Sequence, residues 1–180
     1  DTEGLITLSI DYLDLAGNAG TQTTATTDGS SITFDQTSPT FTSVTTLSSS
    51  AYDSTLSMVG DTVKVMMVTS ESTQVPAVSI GGTLGTVSGD GTTWTALRPL
   101  TSEDTEGAIS ISIDYLDLAG NAGTQTTATT DGSSITFDQT GPYGTTVHDG
   151  EGADITYIGL DNTLSANWPS FTDQISGIAY

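Results

Sequence analysis

Apolar and polar residues alternate along several short stretches of this chain, and nowhere do apolar residues recur at helical spacing. The clearest stretch is DTVKVMMVTS. There Val63, Val65 and Met67 point one way and Lys64 and Met66 the other, the period of a strand. LITLSIDYLD places Ile6, Leu8, Ile10 and Tyr12 on one face and predicts a half-buried strand, which AISISIDYLD repeats later. A short strand is expected around Val78 and Ile80. Two more are expected on either side of a turn at Gly89-Asp90-Gly91, with Trp94 as a core aromatic. PTFTSVTTLSSSAYDSTL reads as an edge-type strand with polar loops. TQTTATT, polar and β-branched, reads as a solvent-facing strand. Between strands, LAGNAG and Asp28-Gly29 supply turn or bulge residues, and SSITFD closes a unit with Ile32 and Phe34 inward.

The segment Ile10–Thr37 recurs without change as Ile113–Thr140, an offset of 103 residues. The match extends back to Asp1 and Asp104 with three differences, Leu5/Ala108, Thr7/Ser110 and Leu8/Ile111. So long a period indicates tandem whole domains rather than a short solenoid repeat. Within one period there are about seven strands, with turn signals roughly every 8–12 residues, which calls for an antiparallel β-sandwich of immunoglobulin type. The expected fold class is therefore all-β, as tandem immunoglobulin-like sandwiches. Residues 1–37 are the C-terminal part of one repeat, 38–140 a complete repeat, and 141–180 the N-terminal part of a different module. QTSPT, with Pro39, is a short stiff linker. In the last module ADITYIG and TLSANW are expected as first strands, with Trp168 in the core. On this reading neither end is a domain boundary, and the chain is a window on a much longer protein.

Composition narrows the partners. Two basic residues, Lys64 and Arg98, stand against 22 acidic ones, for a formal net charge of −20. Nothing is available to neutralise phosphate, so nucleic acid is excluded, and an anionic membrane surface would repel the chain. No apolar run reaches the length of a membrane span. With no cysteine there is no disulfide or thiol chemistry. So many carboxylates keep a surface soluble by self-repulsion, and they also supply the oxygens that hard cations prefer.

No catalytic grouping emerges. The single histidine, His148, is followed by Asp149, but neighbours in a strand or loop point apart, and no nucleophile-elbow pattern is present. A Lys64–Asn121 isopeptide bond is disfavoured, because Lys64 is out of phase with the apolar row and Asn121 sits in a turn. The acids carry a topological argument instead. In a sandwich of this type the LAGN turn, between the last two strands, and the loop ESTQVP share the pole that meets the preceding domain. The DTEG turn lies at the opposite pole. Asp1 or Glu3, Asp35, Glu71, Asp117 and Asn121 would then converge on the first junction. Asp104 or Glu106, Asp138 and Asp173 would converge on the second. Four or five such oxygens suit Ca2+, with backbone carbonyls and water completing six to eight ligands. Asp and Asn are also common turn formers, solvated acids need no partner, and the tight turn by itself accounts for LAGN.

DLAGNAG followed by DGSSITFDQT and a proline linker, together with GDTVKVMMVTSE and VSGDGTTWTA, resembles the bacterial Ig-like repeats of large cell-surface proteins and adhesins, over roughly the first 140 residues. LSANWPSFTDQISGIAY is similar to the start of a fibronectin type III-like module. The resemblance implies an exported, non-enzymatic stalk or adhesin segment on the cell surface or secreted, built of tandem repeats and often stiffened by calcium. Its partners would be neighbouring domains of the same chain and identical chains in a fibre. Two alternatives stand beside it. One is a module binding a glycan or other surface through Thr-rich strands, and the other is an accessory region of a giant secreted enzyme.

Overall fold

The computed structural model describes residues 2–144, 146–149 and 166–178. Its described residues are all-β, with no helix. In chain order the strands are β1 (Gly4–Leu5), β2 (Thr33–Phe34), β3 (Phe41–Ser48), β4 (Leu56–Ser57), β5 (Thr62–Thr69), β6 (Ala77–Ile80), β7 (Thr83–Leu84), β8 (Thr86–Asp90), β9 (Thr93–Pro99), β10 (Gly107–Ala108), β11 (Ile111–Asp114), β12 (Thr136–Phe137), β13 (His148–Asp149) and β14 (Ala166–Asn167).

Between residues 41 and 137 a four-stranded antiparallel sheet runs β3-β5-β9-β8. Opposite it lie two smaller sheets, β11-β6-β7 and β10-β12-β4, the latter closed by a parallel β12–β4 pair. Val44, Val63, Val65, Met67, Trp94 and Ala96 from the first sheet meet Val78, Ile80, Ile111, Ile113, Ile135 and Phe137 in one core, as in a β-sandwich. The alternation in β5 is as the sequence predicts: Val63, Val65 and Met67 are fully buried, while Lys64 and Met66 are half-buried on the other face. Trp94 is buried, and its indole N–H donates to Thr73 Oγ1 at 2.8 Å, which a buried indole requires. At the outer edge, β3 is covered by the 130–133 segment: Thr130 Oγ1 and Ser133 Oγ accept from Val44 and Thr46 N–H. This leaves that edge poorly available to another chain.

Several expectations are corrected. The hairpin between β8 and β9 turns at Gly91-Thr92, since Asp90 pairs with Thr93. Gly91 takes φ +55°, which an L side chain at this first central position would resist. TQTTATT is not a strand in either copy; single bridges, Ile10–Thr23 and Ile113–Thr126, are its ladder contacts. Trp168 is 55 % exposed rather than in a core. ADITYIG lies outside the described residues, so the packing expected of it does not enter.

The two copies of the repeated sequence differ most in burial. They share register, with Gly4 opposite Phe34 and Gly107 opposite Phe137. Yet Ile135 and Phe137 are buried, whereas Ile32 is 69 % exposed and Phe34 half-buried. Ile6, Ile10 and Tyr12 are likewise exposed, while Ile113 and Tyr115 are not. The reason is tertiary. Only the second copy has β3, β5 and β9 across from it among the described residues. Phe137→Ala should therefore cost about 3–5 kcal/mol in denaturant unfolding, and Phe34→Ala well under half of that. Equal costs would contradict the packing described.

Candidate metal centre

Three pieces of chain meet where the first junction is expected. The linker contributes Asp35. The β5–β6 loop contributes Glu71. The turn after β11 contributes Asp117 and Asn121. Asp117 organises its own turn: Oδ1 accepts from Gly120 N–H at 2.6 Å and Asn121 N–H at 2.8 Å, and Oδ2 from Asn121 Nδ2 at 2.7 Å. Gly120, at φ +98°, lets the chain close this tightly. Asp14 makes equivalent bonds to Asn18 in the first copy, so the turn is a local property of DLAGN. The Glu71 loop is then tied to the turn. Thr73 bridges Asp117, Gln74 N–H donates to Leu116 O at 2.9 Å, and Gln74 Nε2 donates to Asp117 O at 2.9 Å. Asn121 Nδ2 reaches the Asp35 carbonyl at 3.2 Å and brings in the linker.

Asp35, Glu71 and Asp117 consequently each place a carboxylate oxygen within 4.8 Å of the others, and such a group could hold a metal ion. Asp117 is fully buried, and Asp35 and Glu71 half-buried. Burial, then the charges of Asp35, Asp117 and Glu3, push the Glu71 carboxyl above its ordinary value. Burial also pulls Asp117 upward, but the Asn121 amide and the N–H groups of Asn121, Gly120 and Ala119 outweigh it and hold that group low. The centre thus gathers negative charge, with Asp117 held ionised by its own turn and Glu71 made harder to ionise by its surroundings.

Not every residue expected here serves as a free oxygen donor. Glu3 lies close enough to raise Glu71, but its oxygens are occupied by Gln36 N–H at 2.6 Å and the Thr37 hydroxyl at 3.0 Å. Asn121 turns its amide nitrogen, a donor, onto Asp117 and Asp35. Asp1 lies outside the described residues. At the second junction Asp104 is drawn away by an ion pair with buried Arg98. Glu106, Asp138 and Asp173 do line one cavity of about 290 Å³. Glu106 Oε1 accepts from Gln139 and Thr140, Asp138 from Thr140 and Ser176, and Asp173 Oδ1 from the N–H groups of Ile175, Ser176 and Gly177, and it is spacing that sets these acids apart from the first group. Among the described residues, only Asp35, Glu71 and Asp117 bring three acids within 4.8 Å. Thr73, Gln74 and Trp94, which anchor the Glu71 loop, carry no sequence signal for that task. Of the other candidates, His148 pairs through its backbone with Asn167 in β13–β14, and Lys64 stays on the outer face of β5.

No protein-family model, curated protein or solved structure matches this chain.

Glu71→Gln separates charge relief from ligation. Without a divalent cation the variant should unfold at higher temperature than the parent, because a repelled carboxylate is gone. In calorimetric titration it should bind a divalent cation on the order of ten-fold or more weakly. The pH dependence has a definite sign. A folded-state pKa above the unfolded value contributes stability below the unfolded value near 4.5, lost as pH rises through the folded one. Cation affinity should accordingly weaken as pH falls through the raised Glu71 value. A variant unchanged on both counts would contradict this electrostatic picture.

Proposed function

We propose that this chain is a structural, non-enzymatic segment of a long extracellular surface protein or fibre, in which immunoglobulin-like sandwiches follow one another and calcium stiffens their junction. The observation that carries the reading is the convergence of Asp35 from the linker with Glu71 and Asp117 from the following repeat. A cation bound there ties one repeat to the next, which is what a stalk requires and an isolated domain does not. Calcium suits the donors. Carboxylate oxygens are the ligands that hard cations prefer, and calcium takes six to eight oxygens in a flexible shell. Asp35, Glu71 and Asp117 would supply the charged ligands, with carbonyls and water completing the shell. The high negative charge keeps such fibres apart in solution, and screening or binding of cations offsets its cost to the folded state.

A glycan- or surface-binding role has one observation in its favour. On the outer face of the four-stranded sheet Thr45, Met66, Thr95 and Ser88 lie in one cross-strand row, with Thr93 and Thr86 beside it. That face bears no aromatic ring for a sugar to stack on, and the stalk reading stands first.

Thermal unfolding of the full chain in EDTA and then in millimolar calcium tests the proposal. Calcium at a hundred times its dissociation constant adds about 2.7 kcal/mol to the folded state. The midpoint should therefore rise clearly, and solution scattering should report a more extended, less variable particle. An unchanged midpoint and shape would remove calcium from the account.

A further inference from the structure

The linker is held to the upstream repeat by the same glutamate in both copies. In the first, Gln36 N–H donates to Glu3 Oε1 at 2.6 Å, and the Thr37 hydroxyl lies 3.0 Å from both carboxylate oxygens. In the second, Gln139 N–H donates to Glu106 Oε1 at 2.9 Å and the Thr140 hydroxyl at 2.7 Å. The preceding aspartate completes the hold each time, with Asp35 and Asp138 accepting from the N–H of Thr37 and Thr140, both at 2.9 Å. Two stretches 103 positions apart, in quite different tertiary surroundings, thus reach one arrangement. Register explains why. Gly4 opposite Phe34 and Gly107 opposite Phe137 set the glutamate beside the first linker residues, and both glycines take a positive φ, 122° and 114°. The bonds to Thr140 and Gln139 also hold the Glu106 carboxyl below its ordinary value, so the acceptor stays charged at neutral pH.

On the downstream side the first linker ends abruptly. Pro39 is fully buried, and Thr40 exchanges bonds with Ser70, through Ser70 N–H to Thr40 O at 2.8 Å and Thr40 N–H to Ser70 Oγ at 3.0 Å. Between the two holds only Ser38 is left. At the second linker Tyr143 and Thr172 exchange two backbone bonds, leaving Gly141 and Pro142, and the proline has its φ fixed by its ring.

We propose that Glu3 and Glu106 are linker clasps: positioning residues that make the Gln-Thr pair of each linker a rigid continuation of its upstream repeat, with or without a cation. The inference rests on the stalk reading for its purpose. Its chemistry is hydrogen bonding to a backbone N–H and a hydroxyl, not ligation. A cation would then act only across the remaining residue, closing a joint whose upstream half is already set.

The chain has no cysteine, so pairs of spin labels can be placed at will. Thr24→Cys with Ser88→Cys spans the first linker, and Ser88→Cys with Ser170→Cys the second; all three positions are exposed. In EDTA, Glu106→Ala should broaden the distance distribution across the second linker and leave the first unchanged. Glu3→Ala should do the reverse. Glu106→Gln, whose amide oxygen accepts the same two bonds, should keep the parent's width, and the unfolding midpoint of each variant checks that it is folded. Equal widths for parent and Glu106→Ala in EDTA would overturn the clasp. So would a Glu106→Gln variant as broad as Glu106→Ala, because that would mark the carboxylate charge as the active feature. Failure of calcium to narrow the parent's first-linker distribution would count against the stalk reading and leave the clasp standing.

Discussion

Negative charge that cannot disperse is the constraint on which the first junction depends. The turn after β11 buries Asp117 to satisfy three donors, and the loop tied to it by Gln74 brings Glu71 alongside. The linker then delivers Asp35 to the same place. Each step is favourable by itself, because each closes hydrogen bonds that a turn or loop would otherwise leave to water. Together they set three acids within 4.8 Å of one another, and burial, then the charges of Asp35, Asp117 and Glu3, raise the Glu71 carboxyl. On the proposed reading a divalent cation would offset that charge, drawing Asp35 from ahead of β3 together with Glu71 and Asp117 from beyond it.

The hydrophobic core makes this geometry reproducible. Val63, Val65 and Met67 on β5 and Trp94 on β9 fix where the β5–β6 loop begins and what it leans on. Ile111, Ile113 and Tyr115 fix where the DLAGN turn emerges, with the Tyr115 ring 4.1 Å from that of Phe41. The ring also lies over Gly123, where an added Cβ would come within 2.2 Å of it. The path from apolar alternation to the acidic centre is therefore short. Strands set loop origins, loop hydrogen bonds set side-chain positions, and those positions set the local field.

Much of this was legible in the residues. The period-2 pattern of β5, the Trp94 core position and the all-β class follow from local sequence, since burial on one face leaves an unambiguous mark. The grouping of Asp35, Glu71 and Asp117, within a wider expected set that also held Glu3 and Asn121, followed from the loop order of an assumed sandwich. Other features were not legible, for identifiable reasons. Ile32 and Ile135 sit in identical surroundings of sequence but differ in burial, because burial depends on a sheet that only one of them faces. Asp104 and Glu106 looked interchangeable as ligands until Arg98 claimed the first and the linker the second. Trp168 read as a core residue because aromatic content is a statement about type and not about neighbours. The TQTTATT segments have strand-like composition, but their side-chain hydroxyls bond locally, as Thr126 does to Thr124 O and Thr129 to Ser133 O.

The most direct measurement is a crystal structure of the chain grown with calcium, read by anomalous difference density at the first junction. The account predicts one strong peak within 2.3–2.6 Å of oxygens from Asp35, Glu71 and Asp117, with the Glu3 bonds to Gln36 and Thr37 unchanged. Density for water alone between those carboxylates, or a peak that recruits Glu3 away from the linker, would contradict it.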